Sequence, residues 1–395
     1  MMGNVEEVIV VGGGIGGLAA AYGIANLGKS VTVLEQAPQF GEVGAGLQVG
    51  PNGLRALDEL GVLDEVYKLA VFPRRHVFMD ALDGKELSAV QFGDKFKKSF
   101  GYPYIVIHRS DLHSVLLKKS QAIPHIKFLT NHRLKSVEEF EDYVEISCEN
   151  GEVLRAETVI GADGIHSVTR KLFTDAAPVP SKYAAFRFTV PMDKMTINID
   201  WDEKLTWIGP GIHLVQYPVR HKSVINQVAV FKSYLYKEGS EDWGTIEELR
   251  EMFKNTCPII QESLKFVQEG FVSKLHDIEP LEQWATKRVA LLGDSAHAML
   301  QYLAQGACQA LEDAVCLVDK LRNNGTDVSK ALDEYQQERI PRTTQVQKGA
   351  RTWGEIKHAE DEATRLLRDT IMLNRQPDDY TYLEWLYKER KPASV

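Results

Sequence analysis

Cysteine is scarce, with only Cys148, Cys257, Cys308 and Cys316 in a chain of 395 residues. No two of them form a CxxC pair and no metal-ligand spacing occurs, so a zinc module and a disulfide-stapled fold are excluded and no metal is expected. Four reduced, mostly buried thiols of a cytosolic protein are the expectation. Long basic runs are absent as well. With a net charge of -9, a nucleic-acid partner is excluded and the acidic balance reads as solubility. No apolar run approaches the roughly 20 residues of a membrane-spanning helix. The apolar stretch near Val8 follows Glu6 and Glu7 rather than a basic flank, and it runs into glycines rather than a cleavage site. Neither a membrane segment nor a secretion signal is therefore expected, and a cytoplasmic location follows. Internal repeats and low-complexity tracts are also missing. What remains is a chain with 44% hydrophobic residues, long enough for two or three structural units around a large core.

Val8-Ile9-Val10-Val11 is a β-branched run that ends at glycines and reads as a buried strand. An alanine-rich helix is expected from Gly16 to Leu27, ending at Gly28, and a second strand from Ser30 to Leu34. The chain thus opens β-α-β, the start of a parallel sheet. Residues 75–90 read as a hairpin turning at Asp83-Gly84. Tyr104 to Ile107 reads as a strand, and Ser110 is the expected cap of the next helix. Phe128 to Leu154 reads as a meander with a turn at Glu149-Asn150-Gly151. Between 183 and 233 several strand-like runs lack intervening helices and suggest a separate antiparallel sheet. Arg288 to Leu292 is another short buried strand. A long helix is expected from Gly306, followed by helix-rich sequence to about 372 in which Pro341 should kink or break the helix.

Gly12, Gly14 and Gly17 make a GxGxxG loop, with Ile15 inside it. The first glycine suits a tight turn, the second lets the backbone approach a pyrophosphate, and the third lets helix and strand pack closely. The helix amino terminus adds free N–H groups and a positive dipole end. Glu35, at the end of the second strand, is placed to bind ribose hydroxyls of an adenosine. These residues alone leave FAD and NAD both open.

Three further pieces follow in order: Gly161-Ala162-Asp163-Gly164, Gly293-Asp294, and Gly306-Ala307. Together with the glycine loop they resemble the single-component flavoprotein aromatic hydroxylases. The resemblance covers nearly the whole chain. It is carried further by Phe40 to Pro51, which includes Gln48, by His108-Arg109-Ser110-Asp111-Leu112-His113, by Gln216-Tyr217-Pro218, and by Leu300 to Ala304. Within that family these stretches are most similar to the 3-hydroxybenzoate 6-hydroxylases, and more distantly to salicylate hydroxylase.

The resemblance implies an α/β fold in which a discontinuous Rossmann-like FAD-binding domain (1–72, 103–180 and 280–345) holds an inserted antiparallel-sheet substrate domain (73–102 and 181–279). A helical carboxy-terminal extension (346–395) follows. It also implies FAD as cofactor, with NADH or NADPH and O₂ as co-substrates. The implied reaction hydroxylates a phenolic acid through a flavin C4a-hydroperoxide, with 3-hydroxybenzoate to 2,5-dihydroxybenzoate as the leading case. Carried over by residue, Glu35 holds the adenosine ribose, Arg109 meets the FAD phosphates, Asp294 binds the ribityl chain, and Gly306 and Ala307 present N–H groups to the flavin pyrimidine edge. A helix amino terminus there suits the anionic reduced flavin. Gln48 joins the cofactor set. Asp163, with Arg170, matches a second nucleotide fingerprint, although Asp163 also reads as a structural turn. In one departure, Ala298 stands where the family carries proline after the histidine of its GD segment, which is expected to loosen the backbone near the flavin.

His213, Tyr217 and Gln301 match the substrate site. His213 and Tyr217 are four apart, which places both on one face of a strand. A neutral histidine suits drawing the proton from a phenol; His297 reads as structural. The expected partners are a small aromatic acid, NAD(P)H and O₂, with a homodimer as the candidate assembly. Salicylate or a hydroxypyridine carboxylate is the alternative substrate. A flavin-dependent reductase or oxidase without oxygen insertion is the alternative class.

Overall fold

A computed structural model of the chain describes residues 5–41, 45–197, 199–267 and 272–388. Residues 42–44 of the Phe40–Pro51 stretch, 1–4 of the expected first segment, 198 and 268–271 of the expected sheet insertion, and 389–395 of the expected extension lie outside the described residues.

The β-α-β opening is present as β1 (Val5–Val11), the helix Ile15–Ala25 and β2 (Val31–Leu34). The chain continues through β3 (Gly46–Val49), β4 (Arg75–Asp80), β5 (Glu86–Gln91), β6 (Ile105–His108) and β7 (Ile126–Leu129). Next come β8 (Leu134–Glu139), β9 (Val144–Cys148), β10 (Val153–Gly161) and β11 (Val179–Pro191). The last strands are β12 (Glu203–Gly209), β13 (Ile212–Val219), β14 (Val224–Lys232), β15 (Val272–Asp277) and β16 (Val289–Leu291).

The first sheet has the order β7-β2-β1-β10-β9-β8, with β16 also paired to β10. Its β1, β2, β7, β10 and β16 pairings are parallel. β1 is apolar on both faces because both are covered. Val8 and Val10 pack with Leu18 and Ile24, whereas Ile9 and Val11 pack with Val144 and Ile146. The meander is shorter than the sequence suggests: Phe128 belongs to β7, a parallel edge strand beside β2, and only β8–β10 run antiparallel. The break falls at Asn131, whose left-handed φ of 59° turns the chain.

The second sheet has the order β15-β11-β14-β13-β12-β4-β5. It is antiparallel except for β12 against β4, so the expected hairpin at 75–90 is its edge. Strand alternation divides its side chains. Leu205, Trp207, Leu214 and Phe231 pack against Leu249, Phe253 and Ile260 of two covering helices. Lys204, Thr206, His213, Val215 and Tyr217 point the other way, into a cavity shared with the first sheet's loops.

Two expectations about helices are corrected. The helix Arg109–Gln121 starts two residues earlier than a cap at Ser110 would allow, with His108 at its cap; the Ser110 hydroxyl bonds His108 Nδ1 at 2.8 Å instead. Pro341 does not end its helix, which runs unbroken from Val328 to Lys357. Pro341 and Gln337, whose carbonyl loses its partner to the proline, are both exposed. On that exposed side the carbonyl is open to solvent, so the missing N–H costs little. The opposite side of the helix is held to the helix Gly306–Asn324 by Arg339 and Arg342.

Those arginines belong to a buried ionic network. Arg339 pairs with Asp313 and Glu312, each at 2.7 Å, and Arg342 reaches Glu312 and the carbonyls of Trp385 and Leu386. Burial pushes the Glu312 and Asp313 carboxyls upward. The arginine charges outweigh it at Glu312, and His297 and Arg339 outweigh it at Asp313, so both are held at about 2. A depressed folded pKa contributes stability above the unfolded value of roughly 4 and loses it as pH falls through the folded value. The thermal midpoint is therefore expected to fall steeply between about pH 4 and pH 2, and less steeply once Arg339 is replaced by Met. Equal slopes in the two proteins would show that this network does not set acid stability.

Candidate active site

The glycine loop is dictated by sterics. Gly12 has φ +108°, and a side chain there would meet the Ala162 carbonyl at 2.2 Å. A side chain at Gly17 would meet the Gly12 carbonyl at 2.0 Å, which is how close the helix lies to β1. The His113 ring fixes the loop from outside through the Gly13 carbonyl, at 2.8 Å.

The loop forms one end of a cavity of about 700 Å³. Gly14, Ile15, Gly17, Gln48, Arg109, Asp294, Gly306 and Ala307 all line it, and so do His213, Tyr217 and Gln301. Gly12, Glu35 and Asp163 do not. Glu35 sits just beyond β2, where its carboxylate accepts the Gly13 N–H at 3.0 Å and the Ala37 N–H at 2.8 Å. Asp163 is placed differently from the fingerprint expectation. Its carboxylate accepts from Ser167 Oγ and from the Val168 and Thr169 N–H groups, closing a local turn. Arg170 is buried and donates to the carbonyls of Ile165 and Ser295, a brace between two loops.

Two helices open on the cavity, Ile15–Ala25 and Gly306–Asn324. Neither has a side-chain cap or an acidic residue in its first turn, so their free N–H groups await an external acceptor. Asp294 adjoins the second opening: a side chain at Gly306 would lie 3.8 Å from its Oδ1. Its carboxylate takes no hydrogen bond from any described residue, which leaves it available to hydroxyls. Two unfilled helix amino termini with a free acceptor between them fit a dinucleotide carrying a pyrophosphate, a polyol chain and an electron-poor ring. Behind this wall Asp313 accepts the Gly293 N–H at 3.0 Å and the His297 Nε2 proton at 2.5 Å, which ties His297 to a buried carboxylate. Ala298 has φ -47° and ψ 131°, and its carbonyl accepts from Ile278 N–H and the Gln347 amide. Those hydrogen bonds hold the turn where the family uses a proline ring.

The far end is built by the second sheet. His213 is buried, with Nδ1 2.6 Å from His358 Nε2. Burial, then the Lys357 charge, push the His213 ring well below the usual histidine range, so it is neutral. Tyr217 stays a protonated phenol because burial raises it. The Tyr104 hydroxyl donates to Gln48 at 2.9 Å. Gln301 accepts from Arg187.

Sequence reasoning missed Arg187, His76, Lys204, Lys357 and His358. Arg187, the one charge in Ala184-Ala185-Phe186-Arg187-Phe188, carried a signal, since a charge in such a strand needs a partner. The other four carry none, because they meet their neighbours only across the fold: His76 and Lys204 pair over 128 residues, His358 reaches His213 over 145, and Lys357 lies over the Tyr302 ring.

A parallel sheet with a glycine loop at its carboxyl end, two open helix termini and a pocket walled by the second sheet define a flavin-dinucleotide oxidoreductase. The family model for the FAD binding domain matches residues 6–350. The chain is 39% identical over 381 residues to a 3-hydroxybenzoate 6-hydroxylase of Polaromonas naphthalenivorans, covering 96% of this chain and 95% of that protein. It is 35% identical to another of that name from Klebsiella oxytoca, covering 98% and 97%. A crystal structure of Klebsiella pneumoniae HpxO with FAD and uric acid superposes with a TM-score of 0.82 at 25% identity, over 94% of this chain and 93% of that one. The chain belongs to this FAD-binding family and is an FAD-dependent aromatic hydroxylase.

Replacing Asp294 by Ala removes the carboxylate beside the Gly306 helix terminus. The variant is expected to purify with much less bound FAD, read from the flavin-to-protein absorbance ratio. A wild-type ratio and wild-type activity would show that Asp294 has no part in holding the cofactor.

Proposed function

We propose that this enzyme converts 3-hydroxybenzoate to 2,5-dihydroxybenzoate with NADH or NADPH and O₂. The observation that carries the reading is a neutral, buried His213 and a protonated Tyr217 lining the same cavity as the two helix termini. When bound, FAD supplies the activated oxygen. In this reading Gly12, Gly14, Ile15 and Gly17 shape the dinucleotide loop, Glu35 serves the adenosine ribose and Arg109 the phosphates. Asp294 serves the ribityl chain, Gln48 lies beside the flavin, and Gly306 and Ala307 give N–H groups to its pyrimidine edge. Asp163 supports the cofactor wall through its turn.

The chain's own chemistry is proton management. His213 takes the phenol proton at Nε2 while its Nδ1–H is donated to His358. The electron density this leaves on the ring oxygen activates the ring for attack by electrophilic oxygen. Tyr217 and Gln301 orient the ring by hydrogen bonding, and the buried sheet face excludes water. Within the same proposal the enzyme acts in the cytoplasm as a homodimer.

The test is product identity. Purified protein is incubated with NADH or NADPH and, separately, 3-hydroxybenzoate, salicylate and a hydroxypyridine carboxylate, under ¹⁸O₂. One labelled oxygen in 2,5-dihydroxybenzoate is the expected result. Labelled product from another acid alone would reassign the substrate. Reductant consumption without labelled product from any acid would reassign the class to a flavin reductase or oxidase.

A further inference from the structure

Lys204 and Lys357 are both about 3% exposed, and neither pairs with a carboxylate among the described residues. Other deeply buried cations have their charge or donors answered: Arg339 and Arg342 are matched to acids, and Arg170 donates to two backbone carbonyls. Lys204 stands on β12 in register with His76 of β4 and donates to its Nε2 at 2.6 Å. Lys357 ends the long helix, with Nζ 5.1 Å from the centroid of the Tyr302 ring. Both line the cavity at its His213 end, and Phe78, Trp353 and Tyr302 provide aromatic walls there. Among the described residues, the only acidic one lining the cavity is Asp294, which lies at the Gly306 helix terminus.

We propose that Lys204 and Lys357 form a clamp that binds the carboxylate of an aromatic acid beside His213, which makes them the determinants of selectivity for acids; this rests on the aromatic-acid reading above. Burying an ammonium without a counter-charge is costly, and two neighbouring ammoniums repel each other. Burial holds Lys357 at about 7, and burial together with Lys357 holds Lys204 well below the usual lysine range. A carboxylate presents two oxygens, one for each lysine, and offsets both penalties at once. A ring held this way lies between the aromatic walls, with a meta hydroxyl free to meet His213.

The experiment compares 3-hydroxybenzoate with neutral 3-hydroxybenzamide on the FAD-loaded enzyme, measuring Kd from the flavin absorbance change. The wild type is expected to prefer the acid. Lys357→Met and Lys204→Met should each weaken acid binding by roughly 10–150-fold, the loss of one charge-assisted hydrogen bond. The amide should stay within about threefold of its wild-type affinity, by the same argument that it forms no ion pair. Lys357→Arg keeps the charge and should keep most of the preference for the acid, which separates loss of the clamp from damage to the fold. Met variants with normal FAD content that still prefer the acid as the wild type does would overturn the clamp and leave the hydroxylase reading intact. A wild type that neither binds nor hydroxylates either compound would overturn the parent reading, and the clamp with it.

Discussion

A His213→Ala enzyme is expected to hydroxylate its phenolic acid roughly 10²–10⁴-fold more slowly, the usual contribution of a positioned general base. Its FAD content should be that of the wild type, because His213 lies on β13, away from the glycine loop and the Gly306 terminus. Reduction by NAD(P)H should persist, so reductant would be consumed with little product and with H₂O₂ released. The ratio of product to reductant is the measurement. The imidazole is a credible base because it is neutral before the reaction and backed by His358 at 2.6 Å. The Lys357 charge that depresses the His213 ring also favours a phenolate over a phenol, so the transfer is helped from the substrate's side. A variant with wild-type rate and coupling would leave His213 as a spectator and move the proton to solvent, since Tyr217 is held in its phenol form.

Arg339→Met should destabilise the protein by about 3–5 kcal/mol, the range for removing one partner of a buried ion pair. The guanidinium touches Asp313, Glu312 and Gln309 at once, and no water reaches Asp313 to replace it. Glu312 retains Arg342 and Asn52, and Asp313 retains His297 and the Gly293 N–H. Adding Asp313→Asn should therefore recover part of the loss by discharging the more deeply buried of the two carboxylates. FAD affinity should fall with stability, because Asp313 holds the loop that carries Asp294. A single variant with an unchanged unfolding midpoint would show that the network is a spectator, and no recovery in the double variant would show that Asp313 is not its centre.

The nucleotide end of this protein is legible in the sequence because its geometry is local. Gly17 is required by its close approach to the Gly12 carbonyl five residues earlier, and Gly12 by its positive φ, within a β-α-β unit whose strands announce themselves as short apolar runs. Helix amino termini at Ile15 and Gly306 bring their own N–H groups and dipole, so their position in the chain already states their chemistry. Period-two alternation likewise puts His213 and Tyr217 on one face without knowledge of any neighbour.

Tertiary structure alone decided what those faces meet. Whether Pro341 breaks a helix depended on which side faces water, and whether Asp163 faces a ligand depended on the turn that its carboxylate closes. The state of His213 was decided by burial first, then by the charge of Lys357 and by His358, 145 residues later. The pairing of His76 with Lys204 spans 128 residues and exists only because β4 and β12 run side by side. A sequence displays the charge of a lysine but not its burial. Desolvation, and the lack of a counter-charge among the described residues, arise only when distant strands and a helix end close around the same space, and in the proposed clamp they turn ordinary basic residues toward an anion.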